Sequence, residues 1–241
     1  MSIPGQWLRE LIARTSFAII AEDARYYLAG ALLTLNETGV GMVATDGHRL
    51  SYAHFSERLE IGEEIRVLVP RKAIHELAKL IESGEDVRFG QIQNHLVFSV
   101  GERILASKTI EGQFPAFEKV IAIEADKKVS LPREALATAI RRVSLLSSER
   151  SRAVKIALSK GQIELAASSP ELGEARESLA AEYAGAEVAI GFNAQYLIEF
   201  LGAAASETVS LELQNNESQG LLRPEGDQDI DYRYVVMPMR L

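Results

Sequence analysis

The sequence predicts an α+β protein of two repeated domains, each made of two helix-plus-antiparallel-strand units, with helices on one face and sheets on the other. Three observations carry this expectation. "SIPGQWLRELIARTS" from Ser2 and "SLPREALATAIRRVS" from Ser130 agree in type at Ser2/Ser130, Pro4/Pro132, Leu8/Leu136, Ile12/Ile140, Arg14/Arg142 and Ser16/Ser144, a constant offset of 128. Two weaker copies, "LVPRKAIHELAKLI" from Leu68 and "IGFNAQYLIEFLGAA" from Ile190, put helix starts at Pro4, Pro70, Pro132 and Asn193, about sixty residues apart. Between the helices lie short β-branched segments of alternating or continuous apolar character, the pattern of strands.

Taken in order, the first helix carries Leu8, Leu11 and Ile12 beside Arg9 and Arg14, and the strand candidates "GVGMVATD", "RLSYAHF" and "EIRVLVP" follow it. The second helix sets an apolar stripe of Ile74, Leu77, Ala78 and Ile81 against Lys72, His75 and Lys79. After it come "DVRFG", "HLVFSV" and "RILASKTI". A polar joint, "AIEADKKVS", with Glu124, Asp126, Lys127 and Lys128, divides the chain into domains 1–124 and 125–241. The third helix repeats the first, with Leu136, Ile140 and Val143 beside Arg133, Arg141 and Arg142; "AVKIALS" and "QIELAAS" follow. The fourth carries Glu199 and no cation, and "VSLEL" and "YRYVVMP" end the chain. The prolines suit a first helical turn, where an N–H lacks a partner, and Asn193 suits an N-cap. Gly39, Gly41, Gly84, Gly101, Gly161 and Gly202 serve as turn signals.

With 241 residues, 47% hydrophobic and 25% charged, the chain can bury a substantial core. The absence of cysteine excludes disulfides, thiolate metal sites and cysteine catalysis, and fits a reducing cytoplasm. No apolar run approaches a membrane span, and "MSIPGQWLRELI" lacks the build of a signal peptide. A net charge of -8 disfavours a stand-alone nucleic-acid-binding module, so any DNA contact needs basic residues gathered on one face.

The most polar short stretch is "VATDGHRLS", residues 43–51. A hydrolase could be assembled from Asp46, His48 and Ser51 as orienter, base and nucleophile. However, no glycine-flanked serine elbow accompanies them, and adjacency across a strand–turn–strand does not place a relay. His48, His54, His75 and His95 show no metal-ligand spacing. An aspartate bonding its own turn accounts for Asp46 and Gly47, and leaves His48, Arg49 and Leu50 to be explained.

"RYYLAG" (25–30), "VATDGHRL" (43–50), "VPRKAI" (69–74), "EGQFPAFEKVI" (111–121), "IGFNAQYL" (190–197) and the terminal "YVVMPMRL" (234–241) together resemble the bacterial DNA polymerase III beta subunit family, the replicative sliding clamps. The similarity runs in order over essentially the whole chain and matches the family's second and third domains. It implies two clamp-type domains and a non-catalytic subunit of DNA polymerase III without cofactor or metal. In the family, full-length chains join head to tail as a homodimeric ring around double-stranded DNA, which is held without sequence reading. These two domains alone are expected to be largely monomeric and unable to close that ring. The resemblance also implies a groove for Gln-Leu-x-Leu-Phe-type peptides of the polymerase alpha subunit, the clamp loader and other partners.

Carried over by residue, the groove implies Arg25, Leu28, Thr45, Gly47, His48, Arg49, Leu50, Pro115 and Val120, then Asn193, Tyr196, Val235, Val236, Met237, Pro238, Met239, Arg240 and Leu241. Leu28, Leu50, Val120, Val236 and Met239 would form apolar cups, and His48, Arg49 and Arg240 would offer donors. The DNA-facing set implied is Arg14, Tyr26, Tyr27, Arg71, Lys72, Lys79, Arg141 and Arg142, with Glu22 and Asp23 adjoining and weakening it. Leu145 and Leu146 match a subunit contact.

Overall fold

The structure is a computed structural model describing residues 1–20, 25–81, 85–122, 124–148, 151–226 and 229–240. Gly84, Glu22, Asp23 and Leu241 lie outside the described residues. The chain forms two compact units, Met1–Ala116 with Gln228–Tyr232, and Phe117–Asp227 with Arg233–Leu241.

The first unit holds two copies of one pattern, a leading strand, a helix and a three-strand meander. The first copy is β1 (Ser2–Ile3), α1 (Gly5–Thr15), β2 (Gly30–Asn36), β3 (Gly39–Thr45) and β4 (Arg49–Ser56). The second is β5 (Ile65–Pro70), α2 (Arg71–Leu80), β6 (Val87–Ile92), β7 (His95–Val100) and β8 (Arg103–Lys108). The leading strands are exchanged. β1 pairs with β6 of the second copy, Ile3 opposite Val87, and β5 pairs with β2 of the first, from Gly30 opposite Pro70 to Leu35 opposite Ile65. The resulting sheet orders are β1-β6-β7-β8 and β5-β2-β3-β4, all antiparallel.

After a short helix, α3 (Glu118–Ile121), the second unit repeats the arrangement with β9 (Lys127–Pro132), α4 (Arg133–Ser144), β10 (Ala153–Ser159), β11 (Gln162–Ser169) and β12 (Gly173–Ala180). Its fourth copy is β13 (Val188–Asn193), α5 (Ala194–Ala203), β14 (Thr208–Leu213), β15 (Gly220–Glu225) and β16 (Ile230–Val236). Exchange recurs here too: β9 pairs with β14, and β13 pairs with β10. The duplication at an offset of 128 is therefore a duplication of a two-copy unit, with α1 and α4 starting at Gly5 and Arg133.

The apolar stripes face inward as expected except at Ala78, which is half-buried. Leu8, Leu11, Ile12, Ile74, Leu77, Ile81, Leu136, Ile140 and Val143 are all buried, each side chain contributing about 1.5–3 kcal/mol. α1 packs on β3 and β4, and α2 on β2, β5 and β8. α4 lies against β10, β11 and β12 and alongside α5.

Several local expectations shift. Pro4, Pro70 and Pro132 stand at the cap, one step before the helix, with extended ψ of 124, 146 and 118°. A proline ends a strand there without needing a ladder donor. Asn193 caps α5 through its side chain, accepting from the backbone N–H of Gln195 and Tyr196. Gly41 lies inside β3 opposite His54, and Gly202 inside α5, so neither makes a turn. β1, β2, β9, β12 and β15 are strands with no counterpart in the predicted set, and β9 takes in Lys127 and Lys128, expected in a polar joint. Among the described residues, no helix is long and apolar enough to cross a membrane.

On β4 of the first unit, His54 is half-buried, its ring parallel to Tyr52 at a centroid distance of 6.3 Å. Burial pushes its imidazole below the ordinary value, opposed by the nearby Asp231 carboxylate. A depressed pKa means the unfolded chain takes up this proton first, so stability is undiminished above the unfolded value near 6.5 and is lost as pH falls through the folded one. Urea unfolding followed from pH 7.5 down to 5 should show a steeper loss in the wild type than in His54→Gln, and superimposable profiles would exclude His54 as the responsible group.

Candidate functional site

The turn joining β3 to β4 is organised by one carboxylate. Asp46 Oδ1 accepts the backbone N–H of His48 at 2.9 Å and of Arg49 at 3.0 Å, while Oδ2 accepts Arg49 Nε at 3.0 Å. Thr45 closes the same loop, its Oγ1 donating to Arg49 O at 2.5 Å and accepting Gly47 N–H at 3.0 Å. Arg25 donates from Nη2 to Asp46 O at 3.1 Å. A short polar side chain bonding the backbone two and three residues ahead is the usual means of holding a tight turn.

Gly47 completes the turn at φ 87°, a left-handed conformation, and a Cβ there would sit 2.5 Å from Arg25 Nη1. The backbone angle therefore favours glycine, and an added Cβ would also push the end of the Arg25 side chain aside.

With these bonds made, Gly47 and His48 are exposed while Thr45, Asp46, Arg49 and Leu50 are buried. Arg49 is 9% exposed; its Nη2 donates to Phe17 O at 2.7 Å, and its guanidinium lies 5.5 Å from the Phe17 ring centroid. Leu28 and Leu50 are 2% and 4% exposed, and Arg25 is half-buried. Pro115 is exposed at the end of the first unit's main segment.

The hydrolase constellation does not form. Ser51 is fully buried and donates its hydroxyl to Arg14 O at 2.5 Å, so no substrate can reach it. Asp46 holds backbone and guanidinium where an orienter would hold an imidazole. Among the described residues no group of three or more histidines and carboxylates could hold a metal ion.

In the second unit, the remaining groove candidates gather around β13, α5 and the chain end. Tyr234 is buried, stacks on Phe200 at 5.0 Å, and donates its hydroxyl to Tyr196 O at 3.0 Å. Asn193 and Tyr196 are half-buried at the start of α5. Beyond β16, Met239 N–H donates to Gly191 O at 2.8 Å, strapping the tail to the edge of β13. Val235 and Val236 are buried, whereas Met237 is 44% exposed, Pro238 and Met239 are half-buried, and Arg240 is exposed. Val120, on α3, is half-buried.

Of the DNA-facing candidates, Arg14 departs from expectation. It is 5% exposed, pairs with Glu10 at 3.2 Å and lies 5.4 Å from the Tyr232 ring centroid, so it is a packed cation of the first unit and cannot meet a phosphate. Lys72, Lys79, Arg141 and Arg142 are exposed, and Arg71 is half-buried. Lys79 is paired with Glu76 at 3.0 Å, and Arg142 is held by both carboxylate oxygens of Glu177. Tyr26 is 61% exposed, meeting a half-buried Tyr27 edge to face. At the end of α4, Leu145 is 76% exposed and Leu146 half-buried.

Sequence reasoning missed Phe17, Arg14 O and Gly191 as supports of these surfaces. They act through backbone carbonyls, which any residue carries and no motif marks.

Comparison with known proteins gives a consistent result. The family model for the DNA polymerase III beta subunit, central domain, matches residues 2–116, and that for its C-terminal domain matches residues 118–240. The beta sliding clamp of Pseudomonas putida is 41% identical over 235 residues, 97% of this chain and 64% of the relative. That of Pseudomonas aeruginosa is 41% identical over 241 residues, 100% of this chain and 65% of the relative. Among solved structures, the DNA polymerase sliding clamp from Pseudomonas aeruginosa superposes with a TM-score of 0.95 at 40% identity, over 100% of this chain and 66% of that one. The same organism's clamp bound to griselimycin gives 0.94, at 40% identity over 100% and 65%. The chain thus spans about 65% of the length of the relatives it matches.

Replacing Gly47 by alanine should destabilise the first unit by about 1–2 kcal/mol, because a left-handed backbone is imposed on a Cβ and Arg25 must move. Chemical denaturation measures this, and a wild-type midpoint would show that the turn relaxes freely.

Proposed function

We propose, for a chain that belongs to the DNA polymerase III beta subunit family, that it acts as a non-catalytic processivity clamp whose surfaces dock short segments of replication and repair proteins. The observation carrying this reading is the braced turn at residues 45–50. Its carboxylate, hydroxyl and buried guanidinium are engaged internally, and the His48 imidazole is presented to solvent on a rigid support. That arrangement suits recognition, where a fixed donor meets a partner, and lacks the mobile proton relay that hydrolysis requires.

The proposed ligand is a Gln-Leu-x-Leu-Phe-type segment, carried by the polymerase alpha subunit, the clamp loader and similar partners. In the first unit His48 offers a hydrogen bond to the segment's backbone or glutamine. The second unit, taken by itself, offers adaptable apolar contact at Met237 and Met239 and a cation at Arg240. The griselimycin complex of the Pseudomonas aeruginosa relative supports a ligand-receptive surface on this architecture. Leu145 and Leu146 are assigned to a subunit contact. The proposed setting is the cytoplasm.

For double-stranded DNA the proposed contacts are Lys72, Lys79 and Arg141, with Arg71, Arg142, Tyr26 and Tyr27 beside them. Binding is non-specific, weak and salt-sensitive, since Lys79 and Arg142 already have carboxylate partners and the chain carries a net charge of -8.

Fluorescence anisotropy with a labelled Gln-Leu-x-Leu-Phe peptide tests the docking role. His48→Ala and Met239→Ala should each weaken binding by about tenfold, the effect of losing 1.4 kcal/mol at an anchor. Wild-type affinity in both variants would refute it.

A further inference from the structure

We infer that Arg49 and Ser51 are positioning residues, fastening the docking turn to the end of α1 without touching a docked segment. The inference rests on reading the turn as a docking surface. It departs from the expectation that Arg49 is itself a donor to the partner.

The bonds run in two parallel struts. In one, Arg49 Nη2 holds Phe17 O at 2.7 Å and Arg49 Nε holds Asp46 Oδ2 at 3.0 Å, while Asp46 Oδ1 holds the His48 amide at 2.9 Å. In the other, Ser51 Oγ holds Arg14 O at 2.5 Å. Phe17 lies in the single 3-10 turn, Ser16–Ala18, that extends α1, and Arg14 lies in its last turn. Both acceptors are therefore carbonyls at a helix C-terminus, where the helix leaves C=O groups without internal partners and where a positive charge is favoured.

Burial weighs against direct contact. Ser51 is fully buried and Arg49 is 9% exposed, with its guanidinium against the Phe17 ring. The backbone of Arg49 is equally occupied, its N–H on Asp46 and its C=O accepting from Thr45 Oγ1 and Asp46 N–H. The rigid guanidinium presents Nε and Nη2 to these two acceptors in fixed directions; a lysine ammonium, a single point on a flexible stem, holds that geometry poorly. Without the Arg49 guanidinium, Asp46 loses its lateral tie to α1 and is held by the backbone N–H groups of His48 and Arg49 alone.

The test combines peptide anisotropy with amide hydrogen exchange on the peptide-free protein. Ser51→Ala, whose site no ligand can touch, should weaken the Gln-Leu-x-Leu-Phe peptide by up to about fivefold, the limit reached if binding must restore the order that one buried hydrogen bond supplied. Arg49→Lys should weaken it at least as much, and should speed exchange at the His48 and Arg49 amides. His48→Ala should weaken the peptide while leaving Arg49 exchange unchanged. Arg49→Lys with wild-type exchange but reduced affinity would make Arg49 a direct contact and overturn the inference, as would wild-type affinity in Ser51→Ala. If the wild type binds no peptide, the docking reading fails, and the exchange measurements still decide whether Arg49 braces the turn.

Discussion

Each sixty-residue copy gives its leading strand to its sister's sheet, and the rest of the structure follows from that exchange. A copy alone would leave one strand's backbone donors and acceptors unpaired and one edge of its meander open, both costly when buried. Two copies satisfy each other: β5 supplies six residues of ladder to β2, and β13 does the same for β10. The folding unit is therefore a pair, which is why the sequence repeats most clearly at 128 and only weakly at half that interval. The exchange also sets where the helices begin. Each leading strand runs straight into its helix through a single cap residue, proline in three cases and asparagine in the fourth.

The turn between β3 and β4 inherits its rigidity from this scaffold. β3 and β4 pair without interruption from Gly39 opposite Ser56 to Thr45 opposite Leu50, so the turn is the tip of a fixed hairpin. α1 packs on the same two strands, which puts its last carbonyls within reach of Arg49 and Ser51. Sheet, helix end and turn are thus bonded as one body, with Arg49 donating to both Asp46 and the Phe17 carbonyl. Under the docking reading proposed above, donors held still in this way carry an entropy cost met on folding and not on binding.

Charge is arranged with a similar economy. Within each unit, exposed cations sit on a helix, Lys72 and Lys79 on α2 and Arg141 and Arg142 on α4. Arg14 shows the limit of reading charge from helical position. It shares an offset with Arg142, yet one is packed against Tyr232 and the other lies exposed, paired with Glu177. Identical residues at equivalent places in a repeat differ because the surfaces around them differ.

Helix starts, apolar stripes, most strands and the α+β class were legible in the sequence, because periodicity reports which side of an element meets the core. The family likeness was legible too, in short stretches with unusual residue combinations. β12 was not: "GEARESLA" is a sheet edge exposed along much of its length, and its charges resemble a loop. β2, "GALLTLN", failed for the opposite reason, being buried almost throughout and so without alternation. The exchange of leading strands was invisible as well, since pairing partners leave no mark on local pattern. Only the tertiary structure decided that Arg49 and Ser51 face α1, that Ser51 is out of reach of any substrate, and that Met239 is strapped to Gly191. Those assignments depend on carbonyl groups brought close by the fold, and every residue type carries the same carbonyl.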